Sequence, residues 1–108
     1  MASSDFFADL VGKNVLIRGR DSGVKVGILV ASDGAQSVLL RDARRIWYWS
    51  GAFTLSVVAG IGLDPRESVL SIVEPECGIC DVIEIIPTTE AARATYDACP
   101  ARIKTQTA

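Results

Sequence analysis

Branched apolar residues recur along this chain in short runs, separated by turns that carry glycine. Val15-Leu16-Ile17-Arg18-Gly19-Arg20 has the composition of a strand. Asp21-Ser22-Gly23 then turns into Val24-Lys25-Val26-Gly27-Ile28-Leu29-Val30, where period two sets Val24, Val26, Ile28 and Val30 on one face. Ser32-Asp33-Gly34 is a second hairpin signal, its Asp-Gly pair supplying positive φ. The run from Gln36 to Trp49 is too long for one regular strand, so a bulge or bend is expected near Arg41-Asp42-Ala43. Thr54 is placed to cap a short helix through Leu55, Val57, Val58 and Ala59, stopped by Gly60 or Gly62. Residues 68–73 and 82–86 read as two more strands, linked through Glu74-Pro75-Glu76-Cys77-Gly78. Thr88 caps a closing helix that runs through Tyr96 and ends at Cys99-Pro100.

These elements predict a mainly β protein: a small, strongly bent antiparallel sheet or barrel with one or two short peripheral helices. Antiparallel pairing follows because the hairpin loops are too short for crossovers. The length of 108 residues suits one domain. Residues 1–100 form that domain, with a helical turn expected over residues 4–11 and a flexible tail over 101–108.

One segment breaks the ordinary pattern. Arg41-Asp42-Ala43-Arg44-Arg45-Ile46-Trp47-Tyr48-Trp49 holds three arginines, both tryptophans and one of the two tyrosines. Period two puts Arg45, Trp47 and Trp49 on one face and Arg44, Ile46 and Tyr48 on the other. With core on one side only, one of the two sets faces a ligand, a neighbouring subunit or solvent.

Composition narrows the choice. Hydrophobic residues make up 49% and charged residues 22%, the balance of a globular domain. The net charge of −2 and a pI near 5.0 argue against a general nucleic-acid coat and against a long nucleic-acid partner. A local cationic cluster on an acidic protein suits a small anionic ligand better. No apolar run reaches the roughly 20 residues that span a bilayer, and the N-terminus lacks the basic start of a signal peptide. A location in the cytoplasm of the host cell, without membrane attachment, is expected. The chain has no histidine, which removes the commonest general base and metal ligand, so an enzyme is not expected. Cys77-Gly78-Ile79-Cys80 has metal or redox spacing, but Cys99 is the only further sulfur, and two plain hairpin residues are the simpler reading. No metal and no cofactor are expected.

The arginine-aromatic stretch carries the functional weight. Trp47, Tyr48 or Trp49 could stack bases, each contact worth about 1–3 kcal/mol. Arg44 and Arg45 could hold phosphates, with Asp42 bracing a guanidinium, and Arg18, Arg20 and Lys25 are further phosphate candidates from adjacent strands. Two stacked bases give at most ~6 kcal/mol, short of the ~12 kcal/mol of a nanomolar complex. Several arginine–phosphate bonds and an enclosed site, such as a pocket between subunits of a homo-oligomer, would supply the rest. Two alternatives stay open: a small barrel module that binds host RNA or a host protein, and an aromatic oligomer interface with no ligand.

Gly12-Lys13-Asn14-Val15, Ser22-Gly23-Val24-Lys25-Val26-Gly27, the run Asp42 to Trp49, Gly51-Ala52-Phe53-Thr54-Leu55 and Val82-Ile83-Glu84-Ile85-Ile86-Pro87 together resemble a family of small phage-encoded proteins. The resemblance spans about residues 12–98, and its most specific part is Ala43-Arg44-Arg45-Ile46-Trp47-Tyr48-Trp49. That family is similar to viral sponge proteins that sequester the cyclic nucleotide signals of antiphage defence. The resemblance implies capture of a cyclic di- or trinucleotide without cleavage, which starves the effector that the signal would activate.

Overall fold

The computed structural model describes residues 8–103, so the first half of the helical turn expected over 4–11 lies outside the described residues. Six antiparallel strands form one sheet: β1 (Asn14–Gly19), β2 (Val24–Ser32), β3 (Val38–Tyr48), β4 (Val69–Leu70), β5 (Glu74–Ile79) and β6 (Val82–Pro87). Helix α1 (Leu55–Gly60) joins β3 to β4, and α2 (Glu90–Ala98) follows β6. The sheet order is β4-β3-β2-β1-β6, with β5 also paired to β3. The mainly β fold with two short helices is therefore the one its turn chemistry predicts.

The expected bulge lies in β3. Val26 pairs with Arg44 and Ile28 with Arg41, so Asp42 and Ala43 together oppose the single residue Gly27. Asp42 takes φ 53°, a left-handed conformation that short polar side chains tolerate. A glycine is required opposite: a Cβ on Gly27 would stand 3.0 Å from Ala43 Cα and 3.2 Å from Arg41 O. The extra residue changes which side chains point where. Val38 and Leu40 face one core before the bulge, whereas Ile46 faces another after it.

There are two cores, one on each face of the bent sheet. Leu16, Val26, Ile46 and Leu70 pack beneath the helices against Val58, Ala59, Ala92 and Tyr96. Val15, Ile17, Leu29, Val38, Leu40, Ala43, Ile79 and Val82 fill the concave side. This corrects the expectation that only one face of β3 could meet core. Curvature lets the concave face close on itself while the helices cover the convex one. Val24 and Val26 keep their expected shared face, but a register shift between Leu29 and Ala31 leaves Val30 exposed.

Four further boundaries differ from expectation: the strand expected over residues 68–73 shrinks to Val69–Leu70, and three others shift. Residues 74–79 form β5 rather than a linker, pairing Val38 with Ile79 and Ala43 with Glu74. Pro75 argued for a loop, but β5 pairs only with β3 among the described residues, and an outer strand tolerates a proline that cannot donate. Helix α2 is capped one residue later than expected, by Thr89, whose hydroxyl accepts from Ala92 N–H at 3.1 Å. The tail expected to be free from residue 101 is tied at its start: Ala101 bridges Leu70, and Arg102 N–H donates to Leu70 O at 2.9 Å. That contact covers the outer edge of β4.

Asp81 ties the β1–β2 turn to the β5–β6 turn. Its carboxylate accepts from the Ser22 hydroxyl at 2.7 Å and from the N–H groups of Asp21 and Ser22 at 2.6 and 2.9 Å. Those donors, the Ser22 hydroxyl foremost, hold the Asp81 carboxyl below the usual aspartate range. A depressed folded value stabilises the native state above the ordinary aspartate pKa of 3.8 and loses that stabilisation as pH falls through the folded value. Thermal melts of wild type and Asp81→Asn should therefore differ at neutral pH and converge in acid. A constant gap down to the acid limit would contradict the role of the carboxylate. Gly27→Val should lower stability by about 1–3 kcal/mol in urea titrations, through the clash with Ala43. An unchanged midpoint would mean that the bulge does not need its glycine.

Candidate functional site

The bulge and the sheet curvature assemble a cleft on the convex face. Directly opposed residues share a face of an antiparallel sheet, and the cross-strand pairs Arg18–Glu84, Arg18–Val24, Val24–Ile46 and Ile46–Leu70 make one row from β6 to β4. The row runs from two charged, exposed residues at its open end to buried apolar ones beneath the helices. Trp49, just past the end of β3, and Thr54, Leu55 and Ser56 at the start of α1 line the same cleft as its open half. Arg18, Val24, Trp49, Thr54, Leu55, Ser56 and Glu84 line an open cleft of about 370 Å³.

Trp49 reaches this cleft because β3 ends at Tyr48. The pairing with β4 shifts register between Ile46 and Tyr48, and Trp49 then packs with the core of Ile46 and Leu55 instead of following Trp47. Its ring is half-buried, so one part is anchored and the rest lines the cleft. Thr54 takes the N-cap position of α1 with extended backbone, but its hydroxyl makes no capping bond; its carbonyl accepts from Val57 and Val58 N–H at 3.1 Å. Thr54 lines the cleft beside Ser56. Arg18 and Glu84 are Cα partners on neighbouring strands, yet they do not form an ion pair. Their hydrogen-bonding groups are open to whatever enters.

The structure separates most of the residues singled out in the sequence. Trp49 and Arg18 come together in the cleft. Arg44 does not hold an external phosphate: it is buried to 9% exposure, its Nε donating to Ser71 O at 2.9 Å and its guanidinium to Tyr96 O at 2.6 Å. The flip imposed by the bulge turns it under α2, where it ties β3 to the C-terminal helix. Lys25 is likewise interior, 5% exposed, with its ammonium donating to the Cys77 sulfur at 3.0 Å. Arg45 and Trp47 lie on the concave side; Arg45 donates to Ser22 O at 2.9 Å and Trp47 stands 75% exposed. Tyr48 is exposed at the strand end, and Arg20 is exposed beyond β1. Asp42 braces Arg41 rather than Arg44 or Arg45, at 3.7 Å between exposed side chains, a pairing of little energetic weight.

Sequence reasoning gave Glu84, Val24, Leu55, Ser56 and the Thr54 hydroxyl no part in the site. Glu84 had a signal, as the one charge within the apolar strand Val82-Ile83-Glu84-Ile85-Ile86. The cysteines share no site: Cys77 packs on the concave core and Cys99 lies in the helix-covered one, while Cys80 is exposed. Among the described residues no three acidic, cysteine or histidine side chains cluster as metal ligands. No helix among them is long and apolar enough to cross a membrane.

A family model described as a domain of unknown function, DUF6948, matches residues 12–96, which span every strand and nearly all of α2. The chain belongs to the DUF6948 family. The matched span of DUF6948 contains the whole cleft. No curated protein matches the chain. Among solved structures it is similar to a heptameric archaeal Sm protein and to the P. aerophilum SmAP1 heptamer, each at 23% identity with a TM-score of 0.55 over 79% of this chain. The match covers 98% and 90% of those two chains. At that identity the likeness is one of fold, and this DUF6948 domain is Sm-like in architecture.

The divided fates of the two adjacent arginines are open to measurement. Arg44→Met should lower stability by about 2–3 kcal/mol in denaturant titrations, because two carbonyl groups beneath α2 lose a charged donor. Arg45→Ala should change it by less than about 1 kcal/mol. Equal effects would contradict the inward placement of Arg44.

Proposed function

We propose that this protein is a non-catalytic sponge for a cyclic di- or trinucleotide signal, binding one base in the cleft under Trp49. The observation that carries the reading is the half-buried Trp49 sharing one cleft with the exposed guanidinium of Arg18. An anchored ring stacks a flat base at small entropic cost, and a guanidinium beside it suits a phosphate or a base edge. The cleft of about 370 Å³ has the size of a small-ligand site. The net charge of −2 favours a small anion held locally over a long polyanion. Such a protein would act in the cytoplasm of a phage-infected host, withholding an immune signal from its effector.

A homo-oligomer is part of this proposal. The Sm proteins that share the fold are heptamers by their descriptions. Here β5 and β6 each pair on one side only among the described residues, leaving two strand edges through which copies could join. Each copy would bring its own cleft, and a ligand with two or three bases could engage more than one of them.

A second reading has one observation in its favour. One of the similar Sm structures is described with implications for the eukaryotic snRNP core, which makes a barrel module that binds host RNA or a host protein the alternative. A gel shift with single-stranded RNA that weakens steeply with salt would favour it.

Calorimetric titration with a panel of cyclic di- and trinucleotides tests the main reading. Saturable binding should occur, heating the complex should return the ligand intact, and Trp49→Ala should weaken binding about five- to a hundred-fold, the worth of one stacked base. Hydrolysed product would make the protein an enzyme, and absence of binding across the panel would overturn the sponge.

A further inference from the structure

We infer that the cleft distinguishes between bases and that the base it takes is guanine. The inference rests on the nucleotide reading above and deepens it.

The argument begins with the two charged residues at the open end of the cleft. Arg18 and Glu84 are direct cross-strand partners, so their Cα atoms stand about 5 Å apart and their side chains leave the sheet on the same face. Opposite charges so placed ordinarily close on one another, yet these two do not form an ion pair. The cleft therefore offers, side by side, a group that only accepts hydrogen bonds and a group that only donates them. Trp49, Leu55 and Val24 line the same cleft, and the indole offers a face on which a flat ring can stack.

That pairing selects among the bases. Guanine carries two adjacent donors on one edge, N1–H and the N2 amino group, which a carboxylate can accept together. Next to them lie two acceptors, O6 and N7, which a guanidinium grips with two bonds. The donor pair and the acceptor pair are neighbours on the ring, as Glu84 and Arg18 are neighbours on the sheet. Adenine turns the N1 lone pair toward the carboxylate, beside its single amino donor. Cytosine likewise sets one donor beside an acceptor, and uracil sets one donor between two acceptors. Each of those would aim a lone pair at a carboxylate that has no proton to give. Guanine satisfies the carboxylate and the guanidinium at the same time, whereas each of the other bases leaves one of the two unmatched. The hydroxyls of Thr54 and Ser56, on the α1 side of the same cleft, are placed for ribose or phosphate oxygens.

Competition binding with cyclic di-GMP, cyclic di-AMP and cyclic di-IMP separates the possibilities, because the three share one sugar–phosphate ring and differ only at the base edge. Cyclic di-GMP should bind about ten- to a hundred-fold tighter than cyclic di-AMP, the discrimination of one good bidentate contact. Cyclic di-IMP, which lacks the N2 amino donor, should fall between them. Glu84→Gln replaces the carboxylate by an amide that suits the donor and acceptor of adenine, so the preference should shrink or reverse. Glu84 is exposed, and a melting temperature equal to wild type will show that the variant is folded. Equal affinities for the guanine and adenine ligands, or an equal loss of both in Glu84→Gln, would overturn the guanine assignment while the sponge stood. No binding by any of the three, together with none across the wider panel, would overturn both.

Discussion

The structure depends on two residues of β3 set against one of β2. Asp42 and Ala43 opposite Gly27 shift the alternation of the longest strand by one position, and everything after Ala43 points the other way from what the first half would dictate. Without that shift Arg44 would enter the concave core occupied by Val38, Leu40 and Ala43, and Ile46 would be lost to the helix-covered core. With it, one strand serves both cores: its first half pairs with β5, its second with β4. The left-handed backbone at Asp42 and the bare Cα of Gly27 are the local means by which the chain achieves this.

From the same shift comes a division of labour within six consecutive residues. Arg44 and Ile46 stabilise the fold from within, Arg45 and Trp47 lie on the opposite side, and Trp49 leaves the strand to line the cleft. A dense run of arginine and aromatic residues is thus not one recognition surface. It is a strand whose charged and aromatic groups are distributed over two faces and a corner. The cleft draws its other groups from distant parts of the chain, Arg18 from β1, Glu84 from β6 and Leu55 from α1, and membership of DUF6948 covers all of them.

Much of the fold was legible in the sequence because its signals are local. Asp-Gly and Ser-Gly turns, the strands β1 and β2 and the N-cap positions of both helices read correctly, the second within one residue, although the Thr54 hydroxyl makes no capping bond and Val30 leaves the face of Val24 and Val26. The bulge was legible as well, from length alone. Pro75 misled because its meaning depends on whether a strand is inner or outer, which only the assembled sheet decides. The site was legible only in part for the same reason. Trp49 and Arg18 announce their chemistry by type, but Glu84 gains its meaning from being opposite Arg18, a pairing across 66 positions of sequence set by register. Nor could composition tell that the Arg44 guanidinium ends on the carbonyls of Ser71 and Tyr96.

With two tryptophans in the chain, intrinsic fluorescence can be made to report from the cleft alone. In a Trp47→Phe protein the remaining indole is Trp49, and in Trp49→Phe it is the exposed Trp47. Titrating both with cyclic oligonucleotide, the account predicts saturable, stoichiometric quenching when only Trp49 remains, and none when only Trp47 does. Quenching that follows Trp47 and leaves Trp49 unchanged would place the ligand on the concave side and contradict the account.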